Sequence, residues 1–188
     1  MGICKVLNFR LAFLATWSTD DIALNPLETV GAGSQTMKTL GNANIRAEIA
    51  SRLGRVRADS QRLWGKMTAH QMVCHLSDSF RGVMGEKSLS AKPGKFGPGL
   101  MKWGALYVPL PWPHGVKTMP EVDQQIGGTP PGEFAADVRD LRRWFERFTN
   151  QPHDFAWAPH PIFGDMTEKD WMRWGYLHMD HHFRQFGA

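Results

Sequence analysis

Apolar residues in this chain recur at every third or fourth position in four separate segments, with no convincing run of strand-like alternation. That period belongs to helices buried along one side. The first segment carries Ile45, Ile49 and Leu53, with Arg46, Glu48 and Arg52 between them, and Gly54 is expected to end or weaken it. The second begins at Thr68-Ala-His-Gln71, a capping box in which the threonine hydroxyl and the glutamine amide satisfy amides at the helix start. Its stripe is Met72, Leu76, Phe80 and Val83. Thr129, Pro130 and Pro131 predict the opening of a third helix, striped by Phe134, Val138, Leu141, Phe145 and Phe148 and stopped by Asn150 and Pro152. A last helix is predicted from Thr167, with Asp170 three residues on, to about Phe186. Met172, Tyr176, Met179, Phe183 and Phe186 share one of its faces. Four such helices predict an all-α fold, a helix bundle.

Residues 84–133 form a Gly- and Pro-punctuated connection between the second and third main helices. A connection of that length ordinarily covers a site or carries an element of its own. Pro98 with Leu100, Met101, Trp103, Leu106 and Tyr107 predicts a short helix, and Pro109, Pro111 and Pro113 then enforce extended backbone. The core material is heavy in eight Trp and eleven Phe against two Tyr, so packing and not polar networking should dominate the interior. One domain suffices for 188 residues, 42% of them hydrophobic. We expect it to span 37–188, with residues 1–36 a disordered extension or a mis-assigned start, because helical patterning begins only after Met37.

The charge of +4 does not indicate nucleic acid, because basic residues interleave with acidic ones along helix faces, as from Asp137 to Arg147. No apolar run approaches the roughly 20 residues of a membrane span. Cys4 and Cys74 lie far apart and imply no disulfide framework, which fits a reducing, cytoplasmic location. Cys74 reads as a buried, inert thiol.

The strongest chemical signal is His178-Met179-Asp180-His181-His182. Residues four apart on a helix differ by about 40° in direction and about 6 Å in height, so His178 and His182 project side by side and can share a metal ion. His181 is rotated away and ranks second. Gly175, one turn earlier, leaves room for a ligand. Two imidazoles rarely complete a metal site, and His75, beside Leu76 on the buried face of the second helix, is the best third ligand. His70 points elsewhere, into solvent, and His114, His153 and His160 have ordinary turn roles. Met179, not Glu, follows the first histidine, so the zincin motif with its built-in base is absent.

Three blocks carry a family resemblance: Trp64-Gly-Lys-Met-Thr-Ala-His-Gln-Met-Val-Cys-His-Leu-Ser-Asp78, His160-Pro-Ile-Phe-Gly164, and Trp171 followed by His178-Met-Asp-His-His-Phe-Arg-Gln-Phe186. Over residues 37–188 the chain resembles the DinB-like, or YfiT-type, superfamily of metal-binding four-helix bundles, and within it a bacterial branch of unknown function. The resemblance implies an up-down four-helix bundle with His75, His178 and His182 as the metal triad. It also puts Gln185 near the site and admits His160 to the pocket. Superfamily members include metal-dependent transferases that use low-molecular-weight thiols, so a small-molecule substrate or such a thiol is the expected partner. We expect neither nucleic acid nor membrane as a partner, and a monomer or homodimer.

Three neutral imidazoles leave a divalent charge uncompensated, so a bound water or thiol would be acidified. The donor set suits zinc, nickel, iron or manganese without choosing among them. No catalytic base is identifiable. The expectations are therefore a metal-dependent transferase or hydrolase, with Trp103, Tyr107 and Trp112 forming a lid, or a non-catalytic metal- or ligand-binding, stress-associated bundle. An acid converging on the triad, Asp78 or Asp180, would favour the enzyme.

Overall fold

The computed structural model describes residues 37–92 and 97–188, and the expectation for residues 1–36 lies outside the described residues. Within the described residues the chain is all-helical. Five α-helices, α1 (Ala43–Arg55), α2 (Ala69–Val83), α3 (Pro98–Tyr107), α4 (Phe134–Thr149) and α5 (Glu168–Gln185), are joined by loops, with a 3₁₀ turn at Pro120–Val122. There is no strand among them, only an isolated bridge between His160 and Gly164.

Each helix start has an identifiable chemical cause. Asn42 caps α1 by accepting from the amides of Asn44 and Ile45. Both halves of the capping box form at Thr68 with Gln71, and again at Thr167 with Asp170. α1 ends at Arg55, one residue past Gly54, where its end or weakening is expected. The third predicted start is corrected: α4 begins at Phe134, where Glu133 accepts from the amides of Ala135 and Ala136. Thr129 instead gives its amide and hydroxyl to the Asp78 carboxylate, at 2.6 and 2.8 Å. A buried carboxylate needing donors claimed the residue that pattern alone assigns to a cap.

α2 packs along α4, α1 along α5, and α3 lies against α5. Their apolar faces share one core in which Trp171, Phe80, Phe148 and Phe183 are fully buried, each contributing about 1.5–3 kcal/mol by leaving water. The room expected beside Gly175 is a correction of the same kind. A Cβ there would meet Leu40 Cδ1 at 2.8 Å and Phe148 Cε1 at 2.9 Å, so the glycine admits core side chains and not a ligand.

Asp78 is wholly buried on α2 and ties down the chain between α3 and α4. Besides Thr129 it receives Arg81 at 3.1 Å and Lys87 at 3.3 Å. The loop so fixed includes the 3₁₀ turn, which packs on α2. Among the described residues no helix is long and apolar enough to cross a membrane.

Candidate metal centre

His75 on α2 meets His178 and His182 on α5, and a possible ligand atom from each lies within 4.8 Å of the others. Ring centroids are 5.2 Å apart for His75 and His178, 4.8 Å for His75 and His182, and 4.9 Å for His178 and His182. The i, i+4 spacing places the α5 pair on one face, and the apolar stripe of α2 turns His75 toward them. His75 and His182 are buried, whereas His178 is partly exposed and marks the open side of the cluster.

The hydrogen bonds decide where two of the three rings carry their protons. The Val122 carbonyl can only accept, so His75 donates to it from Nδ1, at 2.7 Å, and its Nε2 is a bare lone pair. Gln185 donates its amide to the Trp64 carbonyl at 2.8 Å, which turns its own oxygen to His182. His182 therefore donates from Nδ1 at 3.0 Å, and its Nε2 is bare as well. His178 Nδ1 is buried with no partner among the described residues, and its Nε2 lies 3.2 Å from His75 Nε2. Two donors about 2.1 Å from one ion and 3.2 Å from each other subtend about 100°, an ordinary ligand angle. The second partners are those that metal-bound histidines usually have: a backbone carbonyl and a side-chain amide held in turn by another carbonyl.

Electrostatics favour neutral rings. Burial lowers the pKa of His75, despite the Val122 bond, and burial together with the neighbouring imidazoles pushes His178 and His182 well below the usual 6.5. Neutral imidazole is the ligating form.

The open side is aromatic. Trp112, anchored by its indole N–H to the Ala105 carbonyl at 2.8 Å, sits 6.0 Å from His178 and 6.2 Å from His181, centroid to centroid. Trp64 stacks on His114 at 4.0 Å, and both rings approach His181. On the core side Trp174 lies 4.9 Å from His178.

Of the predicted site residues, His75, His178, His182 and Gln185 come together, and Gly175 faces Leu40 and Phe148. His160 shapes a turn: its Nδ1 accepts from the Ile162 and Phe163 amides, its ring stacks on Phe163, and Trp174 separates it from His178. Of the expected lid, Trp112 covers the site. Trp103 is 59% exposed, and Tyr107 hydrogen-bonds Asp170. His114 has more than a turn role, since it lines the rim. Val122 carried no signal in the sequence, and Trp64 and His114, although Trp64 opens one of the blocks that carry the resemblance, gave no sign of approaching the site, because they reach it from irregular segments. Neither candidate acid converges on the cluster. Asp78 is held by Thr129, Arg81 and Lys87, and Asp180 by Arg52 at 2.6 Å and Arg184 at 2.9 Å.

A family model described as "Protein of unknown function (DUF1569)" matches residues 114–188. The match takes in α4 and α5 with His178, His182 and Gln185, and leaves out α2 with His75. No curated protein and no solved structure matches the chain.

Proposed function

We propose that residues 37–188 form a DinB-like four-helix domain, built from α1, α2, α4 and α5, that binds a divalent metal ion through His75, His178 and His182. The observation that carries this reading is the convergence of ligand atoms from His75, His178 and His182 within 4.8 Å of one another, with Nδ1 of His75 engaged by a carbonyl and Nδ1 of His182 by a fixed amide oxygen, which leaves Nε2 of each ring the lone pair. The pairing of α2 with α4 and of α1 with α5 supports the bundle.

A bound ion here supplies Lewis acidity, because three neutral ligands leave its charge free to acidify water or a low-molecular-weight thiol. The chain's own residues define where that chemistry is reached. His178 faces the opening, and Trp112, Trp64, His114 and His181 line it with flat surfaces that limit water and suit a small organic substrate. Metal-dependent transfer to or hydrolysis of such a substrate is the activity this arrangement fits. A non-catalytic metal- or ligand-binding role is the second reading, and one observation favours it: Asp78 and Asp180 are both committed to cations away from the histidines, so neither serves as a base.

The test is metal analysis of protein purified without a polyhistidine tag, alongside His178→Ala. We expect one tightly held equivalent at the triad that the substitution removes, together with any thiol-transfer or hydrolase activity. Full metal retention in the variant would overturn the triad. Activity persisting in metal-free protein would overturn the enzymatic reading alone.

A further inference from the structure

A second set of metal-ligating side chains meets on a different face of α2. His70 and Cys74 are four residues apart and so share a face, and consecutive positions turn by about 100°, which separates Cys74 from the direction of His75. Asp137, in the first turn of α4, closes against both: His70 Nε2 lies 2.7 Å and Cys74 Sγ 3.6 Å from the same carboxylate oxygen, Oδ2. A ligating nitrogen, sulfur and oxygen thus stand within 4.8 Å of one another, from two helices packed along each other.

Several features go beyond chance proximity. The Gly132 amide donates to Asp137 Oδ2 at 2.8 Å, which aims that oxygen inward. The Phe134 ring packs edge-on to His70, centroids 5.2 Å apart, and restrains the imidazole. Cys74 is buried, while the side chains of His70 and Asp137 keep 19% and 21% exposure, so an ion has a route in from solvent. Donors at about 2.0–2.3 Å from one ion with these separations subtend about 80° at the nitrogen–oxygen edge and about 110° at the sulfur–oxygen edge, so small adjustments suffice.

We propose that His70, Cys74 and Asp137 form a second metal site, selective for a thiophilic divalent ion such as zinc. On binding, the Cys74 thiol releases its proton to solvent, and the ion replaces the Nε2–H that His70 donates to Asp137: that proton leaves to solvent and the neutral ring takes one up at Nδ1, which frees the Nε2 lone pair. Thiolate and carboxylate together cancel the ion's double charge. The site therefore differs in kind from the all-imidazole triad: it is charge-compensated, soft, and fitted to fasten α2 to α4.

Cobalt titration of the metal-free, untagged protein separates the two sites. We expect the wild type to take two equivalents of Co²⁺ and to develop the near-ultraviolet charge-transfer absorption of a cobalt–thiolate bond. His178→Ala should lose one equivalent and keep that absorption. Cys74→Ser and, as a second route in case the first perturbs packing, His70→Gln should abolish it while the triad's equivalent remains. Wild-type protein that binds only one equivalent with no thiolate absorption would overturn the proposal, and so would an absorption that survives Cys74→Ser. Loss of the triad's equivalent alone, with the thiolate absorption intact in the wild type, would count against the triad and in favour of this site.

Discussion

Gln185 binds nothing reactive, yet it sets the proton on His182, because its amide nitrogen is committed to the Trp64 carbonyl and its oxygen must accept. Gln185→Leu keeps the volume and removes that constraint. We expect metal affinity to fall by about 10–100-fold with the fold intact, measured by chelator competition. His160 makes a different prediction. Burial lowers its pKa from 6.5 to about 4, so below pH 6.5 the unfolded chain binds a proton that the folded chain refuses. Its contribution to stability is complete above pH 6.5 and disappears as the pH falls toward 4. Urea midpoints followed across that window should fall less steeply in His160→Gln than in the parent. At this scale the sequence displays His178 and His182 through their spacing and His75 through its stripe. The place of Val122, Trp64 and His114 at the site was illegible, even with Trp64 at the head of a resemblance block, since a carbonyl or a ring delivered by a loop leaves no periodic trace.

Helices were the most legible level. Thr68 and Thr167 announce their helices because a capping box is satisfied within four residues, independently of anything distant. Thr129 resembled such a start and failed as one, because its hydrogen bonds go to a residue fifty-one positions away. Gly175 on α5 tests the packing reading directly. On an open face Gly175→Ala would stabilise a helix by about 1 kcal/mol. With Leu40 and Phe148 inside 3 Å of the new methyl carbon, we expect a net loss of about 1–3 kcal/mol in thermal or denaturant unfolding. A stabilised variant would reinstate a void beside the helix.

Across the whole molecule, Asp78 joins the helical frame to the site. It holds Thr129, whose loop carries Val122, and the Val122 carbonyl sets the tautomer of His75. Asp78→Ala leaves Thr129, Arg81 and Lys87 without their acceptor, at a cost on the order of 2–4 kcal/mol. Unfolding measured with a chelator present should show that loss, and metal titration of the folded variant should show weaker binding. Unaltered affinity would mean that the loop positions Val122 without this anchor. What residue order alone determined was local: helical period, caps, and a pair of histidines on one face, all governed by interactions spanning four residues or fewer. Tertiary structure decided the rest. It filled the space at Gly175 with Leu40 and Phe148, took both candidate acids into ion pairs, and fixed two imidazoles through carbonyls on distant loops, Val122 directly for His75 and Trp64, by way of Gln185, for His182. Burying a charge or an amide obliges it to find a partner wherever the folded chain brings one.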